Sequence, residues 1–378
     1  MVTYPSDWKE DKVSNVVDIS TGCRDTQDNK TNGRYPFFVR SPIVERIDVA
    51  DYDCEAVLTA GDGVGTGKAF HYYRGKFAAH QRVYVMNNFR DVDGKYFYYF
   101  FSKNFIKEVE KYTAKSSVDS VRRAMIADME FVHPYLPEQQ EIVQVLNAFD
   151  TYIDNLTELI GKKRGIRDGA LEDLMSCRTR LNGFTEDWCD VDLSDICKVY
   201  DGTHQTPQYV PQGIRFVSVE NIEDIYGSKK YISLTAYESD FKIYPEKGDI
   251  FMTRIGDIGT PCVIETDEPL AYYVSLALLK NIKINSRFLK YYIMSSAFQK
   301  ELDDRTLHHA TPKKINKGEI GKCRVKYPND EAEQAAIGSV LTSMDEEIRA
   351  LETERDKMIQ IREGAMDDLL TGRVRLGV

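Results

Sequence analysis

Hydrophobic side chains recur with the period of a coiled-coil helix in two stretches, residues 136–182 and 331–378. Their spacing alternates between four and three residues, and a sustained period of 3.5 predicts a long helix with one packing seam. The seam becomes polar in its second half in both stretches, and this pattern leaves open whether the helices pair parallel or antiparallel. The seam positions are Ile142, Leu146, Phe149, Ile153, Leu156, Ile160, Lys163, Arg167, Ala170 and Leu174, and Ile337, Leu341, Met344, Ile348, Leu351, Arg355, Met358, Arg362, Ala365 and Leu369.

The apolar half of each seam, from Ile142 to Leu156 and from Ile337 to Leu351, is the predicted helix–helix or partner interface. Gly161, Gly165 and Gly169 recur at every fourth position of the first helix. Such glycines favour a close backbone approach where helices cross or a partner binds. The alternative is that they are surface glycines, each costing about 1 kcal/mol of helix stability.

The two helical stretches are copies of one another. With an offset of 195 residues, 138–183 aligns with 333–378 without a gap, and 18 of the 46 aligned positions are identical. The segments before each helix are related more weakly, as Trp8, Ser14 and Gly22 match Trp188, Ser194 and Gly202 at an offset of 180. The repeat therefore predicts the order globular unit (1–135), helix (136–182), globular unit (183–330), helix (331–378), with pseudo-two-fold internal symmetry.

Each globular unit alternates short β-branched and aromatic runs with glycine-rich turns. The runs at 37–39, 56–59, 82–85, 215–219, 249–254 and 262–264 predict strands, and 96–112 and 286–303 predict helices. This order is typical of an α+β fold whose sheets are mixed and mostly antiparallel.

The net charge is informative about function only when the distribution of charged residues along the chain is considered. The net charge of −10 over 378 residues argues at first against a DNA-binding protein. The excess acid lies mainly in residues 331–378, with 6 Lys+Arg against 11 Asp+Glu, whereas residues 1–135 hold 19 of each and 183–330 hold 19 against 22. Two nearly neutral units can still present basic faces. Phosphate contacts alone predict weak affinity, so we expect a partner to supply part of it.

The remaining composition predicts a cytoplasmic protein with no metal site. The seven cysteines are scattered without a C-x-x-C pair, which is typical of a reducing compartment and argues against zinc. No 18-residue apolar stretch occurs, and the first residues lack the pattern of a signal peptide. The sequence therefore favours neither a membrane partner nor a bound metal ion.

Several segments resemble the target recognition domains and spacer helices of type I restriction–modification specificity subunits. Residues 201–207 (DGTHQTP), 213–217, 248–250 and 254–259 resemble the start and centre of one such domain. Residues 35–41, 61–67 and 80–84 resemble another subclass of it. The segments 138–142 and 369–376 resemble the spacer helices, although 174–178 of the first copy departs from their usual ending.

This resemblance implies a fold, a function and partners. The fold would comprise target recognition domains at 1–135 and 183–330, separated by long antiparallel coiled-coil helices, a central one at 136–182 and a C-terminal one at 331–378. Each domain would bind one half of a bipartite, asymmetric site in double-stranded DNA, and the helices would set the spacer and dock two methyltransferase subunits. Larger assemblies of the family add nuclease–translocase subunits. The chain would be non-catalytic and hold no cofactor, with S-adenosylmethionine on the methyltransferase partner.

The candidate DNA contacts are polar side chains that can donate to base edges or phosphates. In the first unit they are Arg34, Arg40, Ser41, Lys68, His80, Gln81 and Arg82, followed by Lys115, Ser117 and Arg122 before the first helix. In the second they are Thr203, His204, Gln205, Thr206, Arg215, Ser218, Asn221 and Arg254, followed by Thr311, Lys313, Lys314 and Lys317. The clusters before the helices are expected to contact phosphates.

Two other classes of function stay open at this point. A coiled-coil adaptor without nucleic-acid contact explains the helices and the acidic balance, but not two dissimilar globular units in front of related helices. An enzyme with an unrecognised active site is the other class. The chain lacks an Asn-Pro-Pro-Tyr or Asp-Pro-Pro-Tyr motif, which a base-methylating enzyme of this kind would need.

Overall fold

The structure, a computed structural model, describes residues 4–111 and 120–377. Its strands are β1 (Lys9–Lys12), β2 (Asp18–Thr21), β3 (Tyr35–Phe38), β4 (Glu45–Ile47), β5 (Tyr52–Ala60), β6 (Phe70–Ala79), β7 (Val83–Asn87), β8 (Glu130–His133), β9 (Trp188–Asp192), β10 (Lys198–Asp201), β11 (Ile214–Val217), β12 (Tyr231–Ile232), β13 (Ile250–Ile255), β14 (Asp257–Val263), β15 (Leu270–Tyr272), β16 (Leu276–Lys280) and β17 (Arg324–Pro328). Its α-helices are α1 (Val13–Val16), α2 (Gly94–Glu110), α3 (Arg123–Ala127), α4 (Leu136–Met175), α5 (Leu193–Ile196), α6 (Leu234–Asp240), α7 (Ser286–Met294), α8 (Ser296–Asp304), α9 (Lys317–Gly321) and α10 (Glu331–Leu370).

The chain folds into two compact units. Unit 1 comprises Met1–Thr157 and Glu354–Val378, and unit 2 comprises Glu158–Thr353. The division falls inside α4 and α10, so each unit contains one globular domain and a part of both long helices. The boundaries drawn from the sequence separate the helices from the globular domains and stay a prediction.

A six-stranded sheet forms the globular domain of unit 1. Its strand order is β2-β7-β5-β6-β3-β4, and every pair is antiparallel except β3 and β6. Helix α2 begins where the Asp93 carboxylate accepts hydrogen bonds from the Lys95 and Tyr96 amides, which satisfies free N–H groups of its first turn. Its aromatic face, including Phe97 and Phe101, is buried in the core.

Unit 2 has a corresponding arrangement of strands, but they form two separate sheets instead of one. The order β10-β16-β13-β14 forms one sheet and β12-β11-β15 the other, and β11 pairs parallel with β15 as β3 does with β6. Where unit 1 has the single long strand β6, unit 2 has β14 and β15 with residues 264–269 between them. The mixed, mostly antiparallel α+β fold predicted from the sequence is confirmed. The helix predicted at 286–303 is broken at Ser295, whose extended backbone ends α7 and caps α8.

The long helices run antiparallel inside each unit. In unit 1, Glu138 near the start of α4 pairs with Arg375 beyond the end of α10, at 2.6 Å. In unit 2, Glu333 near the start of α10 pairs with Arg180 beyond the end of α4, also at 2.6 Å. All predicted seam positions are buried or half-buried: Ile142, Leu146, Leu156, Ile160, Leu174, Ile337, Leu341, Ile348 and Leu369 are buried, and Phe149, Ile153, Lys163, Arg167, Ala170, Met344, Leu351, Arg355, Met358, Arg362 and Ala365 are half-buried.

Among the described residues, no other helix crosses α4 at its glycines. Apart from the adjoining backbone of α4 itself, a Cβ atom built at Gly161, Gly165 or Gly169 meets no described atom within 4 Å. The expectation that helices cross there is therefore wrong. A close approach by a partner at these positions stays a prediction.

Candidate nucleic-acid interface

The two globular domains hold their candidate loops with the same backbone hydrogen bonds. The Gly61 amide donates to the Arg82 carbonyl at 2.8 Å, and the Arg254 amide donates to the Ser275 carbonyl at 2.9 Å. In both domains, the segment before the long helix also forms a hydrogen bond to this framework. The bond from Val121 N to Gly61 O in unit 1 matches that from Ile315 N to Arg254 O in unit 2, and the bond from His80 N to Phe38 O matches that from Tyr273 N to Val217 O. The β-bridge Asp62–Ser120 likewise matches the bridge Ile255–Lys314.

A glycine is required at one matched position of this framework. A Cβ on Gly22 would lie 2.0 Å from the Ala79 carbonyl oxygen, and one on Gly202 would lie 2.4 Å from that of Tyr272. Both distances are far below van der Waals contact, so only glycine fits. This explains why these glycines match in the internal repeat.

In unit 1, an aspartate joins two candidate arginines. The Asp62 carboxylate accepts from Arg40 Nη1 at 2.9 Å through one oxygen and from Arg82 Nη1 through the other. Partial burial opposes ionisation of Asp62, but the hydrogen bonds from Arg82 and Arg40 outweigh it and lower the pKa of the carboxyl below its usual value. Asp62 is therefore ionised at neutral pH, and the three side chains carry a net charge of +1.

Hydrogen bonds hold each residue of the turn at 80–82, which carries Arg82. His80 is buried, and its Nδ1 accepts from the Arg82 backbone amide at 3.0 Å. Burial, with the nearby Arg40 charge, lowers the pKa of His80, so its ring is neutral. The exposed Gln81 donates through Nε2 to Asp25 Oδ2 at 3.0 Å. His80 therefore supports this turn from inside the domain.

The other unit 1 candidates differ in exposure. Arg34, Lys68 and Arg122 are exposed, whereas Ser41 is half-buried and its hydroxyl accepts from the Ile43 amide at 3.1 Å. Lys115 and Ser117 lie outside the described residues. The exposed side chains in this set are free to meet a phosphate or a base edge.

In unit 2, Arg254 is the centre of the candidate region. It is only 6% exposed, donates through Nε to the Ile315 carbonyl at 3.1 Å, and pairs with Asp201. Lys317 Nζ lies 3.7 Å from the same aspartate. Arg254 therefore holds the 201–206 loop and the lysine segment 313–317 side by side, and does so from inside the domain.

The loops around Arg254 carry the exposed candidates. Thr203 and Gln205 bond to one another, which leaves His204, Gln205 and Thr206 exposed at the tip of their loop. Thr311, Lys313, Lys314 and Lys317 are exposed on the neighbouring segment. This surface combines neutral hydrogen-bonding groups with lysine charges, as a base-contacting loop beside a phosphate-contacting segment requires.

Three unit 2 candidates are occupied by internal bonds. Arg215 donates to Glu268 at 2.8 Å and to the Ser228 carbonyl at 2.6 Å, and lies over the Tyr231 ring. Ser218 and Asn221 cap one another across a single turn. These residues shape the loops, and their reach toward DNA is limited by the bonds that they already make.

Sequence reasoning missed the carboxylates that organise both surfaces. Asp62 and Asp201 are not among the candidate DNA contacts, because a lone aspartate is most often a solvated surface group. Their partners are distant in sequence, so neither ion pair has a local pattern. The available signal is that each aspartate lies beside a glycine in a segment that resembles the family's recognition domains, 61–67 and 201–207.

The part of the chain that the structure describes contains neither a metal-binding cluster nor a membrane-spanning helix. No group of three or more His, Cys, Asp or Glu side chains is placed to hold a metal ion there. No helix in those residues is long and apolar enough to span a bilayer.

Two α+β domains on one backbone framework, exposing unlike polar and basic loops and joined to antiparallel helices, define a DNA-specificity protein. The chain belongs to the family of type I restriction modification DNA specificity domains, whose model matches residues 5–162 and 185–360. The two matches correspond to the two halves of the internal repeat, and the chain is a type I restriction–modification specificity subunit.

Individual relatives agree with this assignment. The chain is 23% identical over 410 residues to the type I restriction enzyme MjaVIII specificity subunit of Methanocaldococcus jannaschii, covering 98% of this chain and 94% of that protein. It is 30% identical over 151 residues to the EcoDI specificity subunit of Escherichia coli, covering 40% of this chain and 33% of that protein. The S subunit of M. genitalium has the same fold, with a TM-score of 0.69 at 17% identity over 96% of each chain.

Proposed function

We propose that each recognition domain of this chain binds one half of a bipartite, asymmetric site in double-stranded DNA. The observation that carries the proposal is the pair of matched frameworks with unlike side chains. Unit 1 presents Gln81, Arg82 and Arg40, whereas unit 2 presents the His204 loop and the lysines at 313–317, which lie at other positions of the framework. Identical surfaces would suit a symmetric site, whereas unlike surfaces suit two different half-sites.

We further propose that α4 and α10 set the spacer between the half-sites and dock two methyltransferase subunits. Each helix has 40 residues, which corresponds to about 60 Å at 1.5 Å per residue. Exposed apolar side chains along them, such as Tyr152, Leu159 and Ile166, support a partner-binding role. In this proposal the chain is non-catalytic, S-adenosylmethionine binds the methyltransferase partner, and nuclease–translocase subunits join the larger assembly.

A methylation assay tests the proposal. The chain is purified alone and with the methyltransferase subunit of its host, and each preparation is incubated with S-adenosylmethionine and a random-sequence DNA library. The complex is expected to methylate only sites with two fixed half-sites at a constant gap, and the chain alone to methylate nothing. Methylation by the chain alone would show an enzyme instead. A complex that forms with no change in DNA affinity would show an adaptor.

Salt dependence separates phosphate contacts from base contacts. Replacing Lys313, Lys314 and Lys317 with alanine should weaken binding to all sequences alike and reduce the slope of log affinity against log salt by about three. The control replaces Lys242 and Lys247, which are exposed in the same domain on the segment between α6 and β13. An unchanged slope in the triple variant would remove these lysines from the interface.

A further inference from the structure

The arginine–aspartate–arginine group of unit 1 leaves part of one guanidinium available. Arg82 has 61% of its side chain exposed, although its Nη1 is held by Asp62. Within the described residues, its Nε and Nη2 make no hydrogen bond. Two adjacent N–H donors on one edge of a fixed guanidinium match the O6 and N7 acceptors that guanine presents in the major groove.

The orientation of Arg82 is set before any ligand binds. Asp62 has only 17% of its side chain exposed, and Arg40 occupies its second oxygen, so the carboxylate cannot turn toward solvent without breaking both pairs. The backbone beneath it is fixed by the Gly61–Arg82 and His80–Arg82 hydrogen bonds. A side chain held in its bound orientation loses less conformational entropy on binding.

The matched framework of unit 2 carries different chemistry at the same three positions. The shared hydrogen bonds align Asp62 with Ile255, Arg82 with Ser275 and Arg40 with Val219. In unit 2 the Ser275 hydroxyl accepts from the Val219 amide at 3.0 Å, so these positions carry no charge there. The charged group is therefore not needed to build the framework, since unit 2 folds the same way without it.

We infer that Arg82 is a base-reading residue that recognises one guanine of the first half-site, and that Asp62, supported by Arg40, is the positioning residue that orients it. This inference deepens the proposed function and rests on it. Arg82 supplies two donors to guanine, and the carboxylate keeps the third nitrogen occupied and the plane of the guanidinium fixed. The ligand is a guanine in the major groove of double-stranded DNA.

Selection from a randomised DNA library tests the inference. The complex of the chain with its methyltransferase subunits is incubated with duplexes in which both half-sites are randomised, and bound sequences are counted. Arg82→Ala and Arg82→Lys are expected to lose the preference for one G·C pair in one half-site by about 10- to 100-fold, with the other half-site unchanged. Asp62→Asn should weaken the preference at that same pair and at no other.

Matched controls make the outcome interpretable. Arg90→Ala and Asp18→Asn break an exposed arginine–aspartate pair at the other end of β7, and they should leave every position unchanged. A uniform loss of affinity in the Arg82 variants, without a change at any position, would show a phosphate contact and overturn the inference. Unchanged binding would show a purely structural ion pair and also overturn it. A wild-type complex that selects no bipartite site would instead refute the proposed function.

Discussion

Two buried thiols make unit 2 sensitive to alkaline pH. Cys197 and Cys323 are at most 2% exposed, and burial raises the pKa of each thiol to about 12. In the unfolded chain a thiol ionises near about 8.5. The folded state therefore keeps protons that the unfolded state releases, and the free energy of unfolding falls as the pH rises from about 8.5 toward 12.

The expected loss is large enough to measure. Between about pH 8 and pH 10 the two thiols together should lower the free energy of unfolding of unit 2 by about 3 to 4 kcal/mol. Trp188 is the single tryptophan of unit 2, so urea unfolding of a Trp8→Phe variant can be followed by its fluorescence. The Cys197→Ala, Cys323→Ala double variant should lose that much less over the same range. If the free energy of unfolding falls equally in the double variant and in the protein that keeps both cysteines, the raised pKa values of the two thiols are contradicted.

At this scale the sequence predicts which loops carry polar side chains, but not which of those side chains turn inward. Arg254 and Arg82 both lie at an end of a predicted strand, Arg254 at the end of 249–254 and Arg82 at the start of 82–85. One is buried against Asp201 and a backbone carbonyl, and the other is exposed beside Asp62. The difference depends on partners more than 19 residues away in the chain, which no local pattern contains.

At the scale of elements, each domain is attached to the long helices by the same polar group. In unit 1 the Tyr99 hydroxyl of α2 donates to Asp150 of α4 at 2.5 Å, and Arg362 of α10 pairs with the same carboxylate. In unit 2, Tyr291 of α7 donates to Asp345 of α10 at 2.7 Å, and Arg167 of α4 lies 3.3 Å from it. A half-buried ionic group of this kind fixes the register of packed helices, at a cost in stability.

Removing only the carboxylate should therefore be worse than removing the whole group. Asp150→Leu leaves a tyrosine hydroxyl and a guanidinium without their partner, and should destabilise unit 1 by about 2 kcal/mol. The triple variant Tyr99→Phe, Asp150→Leu, Arg362→Met should recover most of that loss. Urea unfolding followed by Trp8 fluorescence in a Trp188→Phe background measures both.

The control for this experiment is Asp128→Asn, which breaks the exposed ion pair with Lys12 in the same unit. It should change the stability by less than about 1 kcal/mol. A triple variant as unstable as Asp150→Leu would mean that the group stabilises unit 1 rather than specifying its register.

The spacing of hydrophobic residues predicted where the long helices lie, but it did not predict where the sheet of unit 2 is interrupted. The 3.5-residue spacing placed both long helices and their seam, because it depends only on which side chains are buried. The helices end at Met175 and Leu370, where Cys177 and Gly372 take matching left-handed conformations, with φ of 58° and 70°. The division of the unit 2 sheet at 264–269 had no such signal, since it depends on how β15 pairs with β11.

At the scale of the whole molecule, the proposed spacer role makes a prediction about length. Seven residues inserted after Thr157 and seven after Thr353 lie at the division between the units and keep the phase of the seam, because seven residues span two turns of a 3.5-residue repeat. At 1.5 Å per residue each helix lengthens by about 10 Å, so the gap between half-sites should grow by about three base pairs.

Mapping of methylated bases by the assembled complex measures the gap. An insertion of seven residues in α4 alone is the control, and it should impair assembly because the seams of the two helices no longer match in length. A lengthened protein that methylates sites with the original gap would exclude the helices as the determinant of spacing.

The matched frameworks also bear on how such a protein can change its target over generations. The framework shared by the two domains is held mainly by bonds between backbone amides and carbonyls and requires glycine at Gly22 and Gly202, while Arg254 and His80 support their loops from inside the domain. The side chains offered to the solvent at the same positions contribute little to that scaffold. New preferences can therefore arise by single substitutions on the surface, without compensating mutations in the interior, and one half of the molecule can diverge while the other keeps its ancestral preference.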